Sequence, residues 1–191
     1  MTLIKGRCDF IMIMYKNDPY MNKEIVKNRL RKEFQKYGSL IIAFDFDYTV
    51  HNYQNETYSY EFVSKLLRGW RPYAKLIVFS ASPESRYEYI SNYLDEHDIP
   101  FDTINEDVLE RNYTRKIYYN VFLDDRAGLG ETAEILFELL EEIKSGNLVH
   151  VGSEDDFYMF GSVTDYEKRV ISLLRSEGLN VEQIKKIMCE L

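Results

Sequence analysis

Short apolar segments alternate with amphipathic helical segments along most of this chain, and that alternation limits the fold more than any other feature. Five segments are typical of buried strands: IIAFDFDYTV (41–50), AKLIVFSAS (74–82), IPFDTIN (99–105), YYNVFLDD (118–125) and NLVHVG (147–152). Because the helical segments between them suit crossover connections, we expect an α/β fold with a mostly parallel, Rossmann-like sheet and helices on both faces.

The predicted helices carry recognisable start and stop signals. They cover 22–36, 59–72, 82–97 and 130–146. Gly38 is expected to end the first helix, and Gly69 with Pro72 the second. Ser82 is the expected N-cap of the third helix, with Pro83 at its first helical position.

The chain from about 154 onward predicts two helices joined at Gly178. Each begins with a pattern like a capping box, Thr164 with Glu167 and Asn180 with Gln183. One interpretation is a helix-turn-helix that reads DNA, and the other is a helical hairpin that packs on the core or on a second subunit. The formal net charge of −8 argues against a strongly basic nucleic-acid surface. We favour the hairpin, because the sequence stops where a third, recognition helix would be expected to begin. The terminal helices are then candidates for a homodimer contact.

The composition is that of a soluble globular protein. Hydrophobic residues make up 45% and charged residues 29% of 191 residues, enough for one sizeable core. The longest apolar run near the start, FIMIMY (10–15), is too short to span a bilayer and lacks the flanks of a signal peptide. We therefore expect a cytoplasmic protein that makes no membrane contact. Cys8 and Cys189 are expected to be reduced, and no zinc-ligand spacing is evident.

Acidic and hydroxyl side chains follow three of the predicted strands. Asp45 and Asp47 come after the first, Ser80 after the second, and Asp124 with Asp125 after the fourth. Since the carboxyl ends of parallel strands meet at one edge of a sheet, these side chains are expected to converge. Four carboxylates around one point repel one another, and a hard divalent cation relieves that repulsion. Oxygen ligands without His or Cys suit Mg²⁺, which often shares its shell with a substrate phosphate.

Such a cluster is suited to phosphoryl transfer. A carboxylate beside the ion can attack phosphorus and form an aspartyl-phosphate, and a second carboxylate two residues further on can act as general acid and base. Ser80 precedes a predicted helix N-terminus, where hydroxyl and backbone donors favour an anion. Arg115 and Lys116 are both candidates for the cation that neutralises charge in the transition state.

Taken together, the motifs resemble those of the haloacid dehalogenase superfamily of phosphatases. DFDYTV (45–50) is similar to the first motif, in which Asp-x-Asp-x-Thr follows a buried strand, and LIVFSAS (76–82) is similar to the second. Lys116 has the spacing of the third motif, and VFLDD (121–125) resembles the fourth. The order, spacing and strand context agree, which makes the combined match far more specific than any one motif.

The resemblance implies a role for each matching residue. The implied roles are Asp45 as nucleophile, Asp47 as general acid and base, Thr49 and Ser80 as phosphate contacts, Lys116 as the stabilising cation, and Asp124 and Asp125 as Mg²⁺ ligands together with Asp45 and the backbone carbonyl of Asp47. The implied reaction is Mg²⁺-dependent hydrolysis of a phosphomonoester. Lys116 fits the spacing better than Arg115. Tyr48 departs from the pattern, because Gly is most frequent at that position of the family.

The resemblance covers about 39–152, which it implies is the catalytic core within a single domain of 191 residues. Residues 1–38 then form an N-terminal extension, and 154–191 form the C-terminal hairpin. Neither 50–74 nor 83–113 has room for a separate cap domain. The chain therefore resembles the capless members of the family, whose open site suits a large or polymeric substrate.

The sequence LDDRAG places Arg126 directly after the acidic pair. This feature is similar to the phosphatase module of polynucleotide kinase–phosphatases and to small phage and bacterial proteins of the family. Arg126 either contacts substrate or pairs with a nearby acid. We expect the substrate to be a nucleotide or a nucleic-acid phosphate end. Two alternatives stay open: a scaffold that binds without turnover, and a phosphotransferase with the same chemistry.

Overall fold

The computed structural model describes residues 22–54, 59–109, 116–152, 165–176, 179 and 181–188. Its helices are α1 (Lys23–Tyr37), α2 (Glu61–Trp70), α3 (Tyr87–Glu96), α4 (Leu129–Lys144), α5 (Asp165–Ser176) and α6 (Val181–Met188). Its strands are β1 (Leu40–Phe44), β2 (Ala74–Val78), β3 (Thr103–Ile104) and β4 (Val121–Leu123). None of the helices in these described residues is both long and apolar enough to cross a membrane.

The four strands form one parallel sheet in the order β3-β2-β1-β4. The predicted α/β fold with a parallel sheet flanked by helices is therefore confirmed. The predicted strand at 147–152 is wrong, since these residues, all of them described, have no strand conformation. Instead, the backbone N–H groups of Val151 and Gly152 donate to the carbonyl oxygen of Gln35 at 2.8 and 3.0 Å. The segment therefore packs along the end of α1 and does not extend the sheet.

Helix α1 begins and ends at the signals that the sequence carries. The Asn22 side chain accepts hydrogen bonds from the backbone N–H groups of Glu24 and Ile25, which have no partner inside the helix. Gly38 adopts a left-handed conformation with φ of 71°, and its N–H donates to the Phe34 carbonyl. This helix leads directly into the central strand β1.

Gly69 and Ser82 do not have the predicted roles at helix ends, although α2 does end just before Pro72. Gly69 does not end α2 but lies within it, and a Cβ atom there would lie 2.6 Å from Leu140 Cδ2, so the glycine allows α2 and α4 to pack closely. Ser82 is not an N-cap, because the chain stays extended at Pro83 (φ −67°, ψ 156°) and passes through a 3-10 turn before α3. The Ser82 hydroxyl instead accepts a hydrogen bond from Arg86 Nη1 at 3.0 Å.

The core lies on both faces of the sheet, because alternate residues of each strand point in opposite directions. Helices α1 to α4 all supply side chains to the larger cluster, in which Trp70 is fully buried and donates from Nε1 to the Leu136 carbonyl. On the other face, Ile41, Ala43 and Ile77 form a smaller cluster. Its remaining members come from the β3–β4 connection and β4: Val108, Ile117, Tyr119 and Phe122.

The two C-terminal helices form the predicted hairpin, with Ile171 and Ile184 buried between them and Val151 packed against that pair. The capping-box residues Thr164 and Asn180 lie outside the described residues. So do the two cysteines, Cys8 and Cys189, and most of the predicted N-terminal extension.

Candidate active site

The carboxyl ends of β1, β2 and β4 open into one cavity of about 600 Å³. Six of the residues predicted for the site line this cavity: Asp45, Asp47, Ser80, Asp124, Asp125 and Arg126. The expected convergence of acids from strands far apart in sequence is therefore present. A cavity of this size is within the range of small-molecule sites.

The ladder of the sheet continues one residue beyond β1 and fixes the position of Asp45. The Asp45 N–H donates to the Leu123 carbonyl at 2.9 Å, and the Phe79 N–H donates to the Phe44 carbonyl at 2.8 Å. The register Phe44–Val78 and Phe44–Leu123 then puts Asp45 between Phe79 and Asp124. Asp45 is thus held by backbone hydrogen bonds and not by a flexible loop.

Asp45 is half-buried, and its surroundings disfavour the ionised form of its carboxyl group. Burial raises the pKa of Asp45 to about 6, although a backbone hydrogen bond from Phe46 opposes the shift. The charges of Asp124, Asp125 and Asp47 raise the pKa further. A cation in the cavity would favour the ionised form of Asp45 at neutral pH.

Asp47 has the opposite electrostatic environment. Arg86 Nη1 and Nη2 donate to its two carboxylate oxygens at 2.6 and 3.0 Å, and His51 Nδ1 lies 2.8 Å from Oδ1. Burial alone would raise the pKa of Asp47, but the hydrogen bonds and charges of Arg86 and His51 outweigh it and hold the pKa below its usual value. The two carboxyl groups of this motif therefore differ strongly in acidity.

Aromatic rings hold the partners of Asp47 in place. The His51 ring stacks on Phe46 with centroids 4.6 Å apart, and its Nε2 lies 3.0 Å from the Tyr89 hydroxyl. The Arg86 guanidinium lies 5.4 to 5.6 Å from the ring centroids of Phe46, Tyr53 and Tyr89. Arg86 was not among the residues predicted for the site, because its ion pair with Asp47 joins side chains 39 positions apart and depends on tertiary structure.

Ser80 is fixed at the end of β2 by the side chain of Asn105. The Ser80 N–H donates to Asn105 Oδ1 at 2.9 Å, and Asn105 Nδ2 donates to the Ser80 carbonyl at 2.7 Å. The Ser80 hydroxyl accepts from the Ser82 N–H at 3.2 Å, which leaves its own proton to donate into the cavity. Ser80 can therefore contact an anion through its hydroxyl but not through its backbone N–H.

Tyr48 also lines the cavity and has an unusual backbone conformation. Its φ of 62° lies in the left-handed region, where a non-glycine residue is strained. The turn is closed by a hydrogen bond from the Tyr48 N–H to the His51 carbonyl at 2.9 Å. This turn brings His51 back to Asp47.

Two other predicted residues, Thr49 and Lys116, do not line the cavity, and Arg126 lines it as a largely exposed side chain. Thr49 is fully buried, its Oγ1 has no hydrogen-bond partner among the described residues, and it does not line the cavity. Lys116 is exposed and does not line the cavity either, while its alternative Arg115 lies outside the described residues. Arg126 is 87% exposed, with Nε 3.9 Å from Asp125 Oδ2. The roles of Thr49 and Lys116 stay predictions.

A preformed metal cluster is not present in the described part of the chain: no three His, Cys, Asp or Glu side chains there are gathered closely enough to hold an ion. Mg²⁺ needs fewer protein ligands than such a cluster provides, because it commonly uses one or two protein carboxylates and completes its shell with water and substrate oxygens. The oxygen-only donors Asp45, Asp124 and Asp125 in one cavity are compatible with that requirement.

No protein-family model matches the chain, and no curated protein matches it. Among solved structures, the chain is similar to a conserved protein from Bacteroides thetaiotaomicron. The identity is 24%, the TM-score is 0.45, and the match covers 58% of this chain and 96% of that one.

Proposed function

We propose that this protein is a Mg²⁺-dependent phosphomonoester hydrolase in which Asp45 is the nucleophile. The observation that carries the proposal is the position of Asp45, a half-buried carboxyl with a raised pKa in the same cavity as Asp124 and Asp125. A carboxylate so placed is suited to attack an electrophile when a cation is present. The resemblance of four motifs to the haloacid dehalogenase superfamily supports the same reaction.

The carboxylates of Asp45 and Asp124 and the backbone carbonyl of Asp47 would hold the Mg²⁺, with Asp125 beside them. When bound, the ion supplies positive charge that offsets the carboxylates and the phosphoryl oxygens. The Ser80 hydroxyl, which lines the same cavity, donates to a phosphoryl oxygen. Arg126, which is largely exposed and also lines the cavity, is a further candidate contact for that group.

The reaction has two steps. In the first, a carboxylate oxygen of Asp45 attacks phosphorus, the phosphorus–oxygen bond to the leaving group breaks, and Asp47 gives the leaving oxygen a proton. In the second, Asp47 takes a proton from water, which attacks the aspartyl-phosphate and releases phosphate and the free Asp45 carboxylate. Because Arg86 and His51 favour the ionised form of Asp47, Asp47 must take up a proton before it can protonate the leaving oxygen, and loosening of these contacts on substrate binding would allow this.

That double pairing of Asp47 is also the observation that favours a second candidate function. An acid whose pKa is held low by two partners is a poor proton donor, which suits a protein that binds a phosphorylated ligand without turnover. In that case Arg86 and the surrounding aromatic rings serve binding alone.

Hydrolysis of an aryl phosphate by the 191-residue chain separates the two candidates. We expect turnover in Mg²⁺, none in EDTA, and a loss of at least 100-fold in kcat for Asp45→Asn. Asp95→Asn, which changes an exposed acid outside the cavity, is the matched control and should keep full activity. Turnover retained by Asp45→Asn removes Asp45 from its role. Binding of phosphate with no Mg²⁺-dependent turnover by the parent protein favours the second candidate.

A further inference from the structure

Three aromatic rings form a cluster beside the carboxylates of the cavity. The ring centroids of Phe79 and Phe122 are 5.6 Å apart, those of Phe79 and Tyr119 are 6.0 Å apart, and those of Tyr119 and Phe122 are 5.5 Å apart. We refer to these three residues as the aromatic cluster. Phe79 and Phe122 both line the cavity that contains Asp45.

The register of the sheet explains why the aromatic cluster forms there. Ala43 of β1 pairs with Ile77 on one side and with Phe122 on the other. Phe79 follows Ile77 by two residues, so it faces the same side of the sheet as Phe122. Because Ala43 between the flanking strands has only a methyl group, the two phenyl rings can meet across it. Asp45 follows Ala43 by two residues and therefore shares this face.

The aromatic cluster is open to solvent at Phe79. This side chain is 36% exposed, although it adjoins a buried apolar cluster on the same face of the sheet. The cavity is also lined by Tyr48 and by Tyr53, which is 56% exposed. A ligand at Asp45 thus has an open aromatic surface within the same cavity, and covering that surface removes apolar area from water.

We propose that the aromatic cluster binds the base of a nucleoside monophosphate whose phosphate lies at Asp45. This inference rests on the proposed function and names its substrate class. A planar base can stack on the Phe79 ring, while the charged phosphate lies among the polar groups of the cavity. A sugar phosphate without a base would use only the polar half of the cavity. Stacking of one base on one aromatic side chain increases affinity by about tenfold.

The test compares adenosine 5′-monophosphate with ribose 5-phosphate, which has the same phosphate and sugar but no base. With the 191-residue chain in Mg²⁺, we expect kcat/KM to be at least about tenfold higher for the nucleotide. Phe79→Ala and Phe79→Leu should bring this ratio close to one, and Phe79→Trp should restore it. The leucine variant keeps apolar volume but lacks a ring, so it separates stacking from general apolar contact.

Phe62→Ala is the matched control, because Phe62 is an exposed phenylalanine on α2 that contacts Phe137 and does not line the cavity. Its kcat/KM ratio should equal that of the parent protein. The same two ligands are also titrated against Asp45→Asn by calorimetry, so that the base preference is measured without turnover. Hydrolysis of both substrates at equal kcat/KM, or a preference that survives Phe79→Ala, overturns this inference alone. Failure to hydrolyse either of these substrates while the aryl phosphate is still hydrolysed also overturns this inference alone. Failure on all three substrates overturns the proposed function, and the calorimetric preference then decides whether the aromatic cluster binds a base.

Discussion

Arg86 and Asp47 form a two-point ion pair, with Nη1 2.6 Å from Oδ2 and Nη2 3.0 Å from Oδ1. The two residues are 39 positions apart and join the loop after β1 to the turn that precedes α3. Their side chains are only 26% and 23% exposed, so the pair is less screened by solvent than an ordinary surface ion pair. It therefore contributes to stability as well as to the electrostatics of the cavity.

Replacing Arg86 should destabilise the protein. Arg86→Met removes the partner of a partly buried carboxylate, and we expect a loss of about 1–3 kcal/mol in the free energy of unfolding, measured with urea at pH 7. The control is Arg68→Met, since Arg68 is similarly exposed at 30% but pairs with Glu61, which is 51% exposed. Its cost should stay below about 1 kcal/mol. Equal losses in both variants would mean that the Arg86–Asp47 pair stabilises the fold no more than the more exposed Arg68–Glu61 pair.

Replacing Asp45 should stabilise the protein in the absence of Mg²⁺. Because the pKa of Asp45 is about 6 in the folded state and its ordinary value is 3.8, the ionised carboxyl disfavours folding at any pH above that range. At pH 8, Asp45→Asn should raise the free energy of unfolding by about 1 kcal/mol, a figure reduced for partial solvation. Adding Mg²⁺ should raise the melting temperature of the parent protein and have a smaller effect on Asp45→Asn. Destabilisation of the variant without Mg²⁺ contradicts the electrostatic account.

The part of the site that sequence predicts well is the part that follows from strand topology. Asp45 and Asp124 each follow an apolar run, and parallel strands place the ends of such runs at one edge of the sheet. Their position in one cavity could therefore be predicted without knowing how the side chains pack. Segment 147–152 shows the limit of the same reasoning. Its apolar residues suit a strand, but Val151 and Gly152 find their hydrogen-bond partner at Gln35 of α1.

Other features depend on geometry that local patterns do not contain. Arg86 reaches Asp47 because the chain stays extended at Pro83 and then forms a 3-10 turn, where the sequence predicted a regular helix start. Phe79 and Phe122 meet because of the register at Ala43, which the sequence does not specify. Predicting either contact requires the relative positions of several helices and strands. Predicting that the acids converge requires only that the strands run parallel.

Two glycines should respond to alanine in opposite directions. At Gly69, a Cβ atom would lie 2.6 Å from Leu140 Cδ2, and we expect Gly69→Ala to cost about 1–3 kcal/mol despite the gain in helix propensity. At Gly130, also within a helix, nothing lies within 4 Å of the added atom. Gly130→Ala should therefore stabilise by up to about 1 kcal/mol. Urea unfolding of both variants tests the pair, and a stabilised Gly69→Ala would show that α2 and α4 are not packed as closely as described.

Basic residues of α1 face acidic residues of α4 at matching helical spacing. Lys23 Nζ lies 2.8 Å from Glu134 Oε2, Lys27 pairs with Glu138, and Arg31 makes two hydrogen bonds to Glu142 at 2.8 and 2.7 Å. The Arg31–Glu142 pair is the best defined of the three, because Nε and Nη2 of Arg31 contact separate carboxylate oxygens. It links the helix before the central strand to the helix after β4.

The Arg31–Glu142 pair should make part of the stability depend on acidic pH. Hydrogen bonds from Arg31 lower the pKa of Glu142 in the folded state below its usual 4.5. The pair therefore stabilises the folded state fully above pH 4.5, and this stabilisation is lost as the pH falls through the folded-state pKa of Glu142. Glu142→Gln should remove about 1 kcal/mol from the free energy of unfolding at pH 7, as expected for a partly exposed ion pair. It should also flatten the decline in urea midpoint as the pH falls below 4.5. Glu141→Gln is the control, since Glu141 is 56% exposed and lies 3.6 Å from Lys144 on the same helix. If the acid decline of Glu142→Gln matches that of the parent protein, this ion pair does not couple α1 to α4.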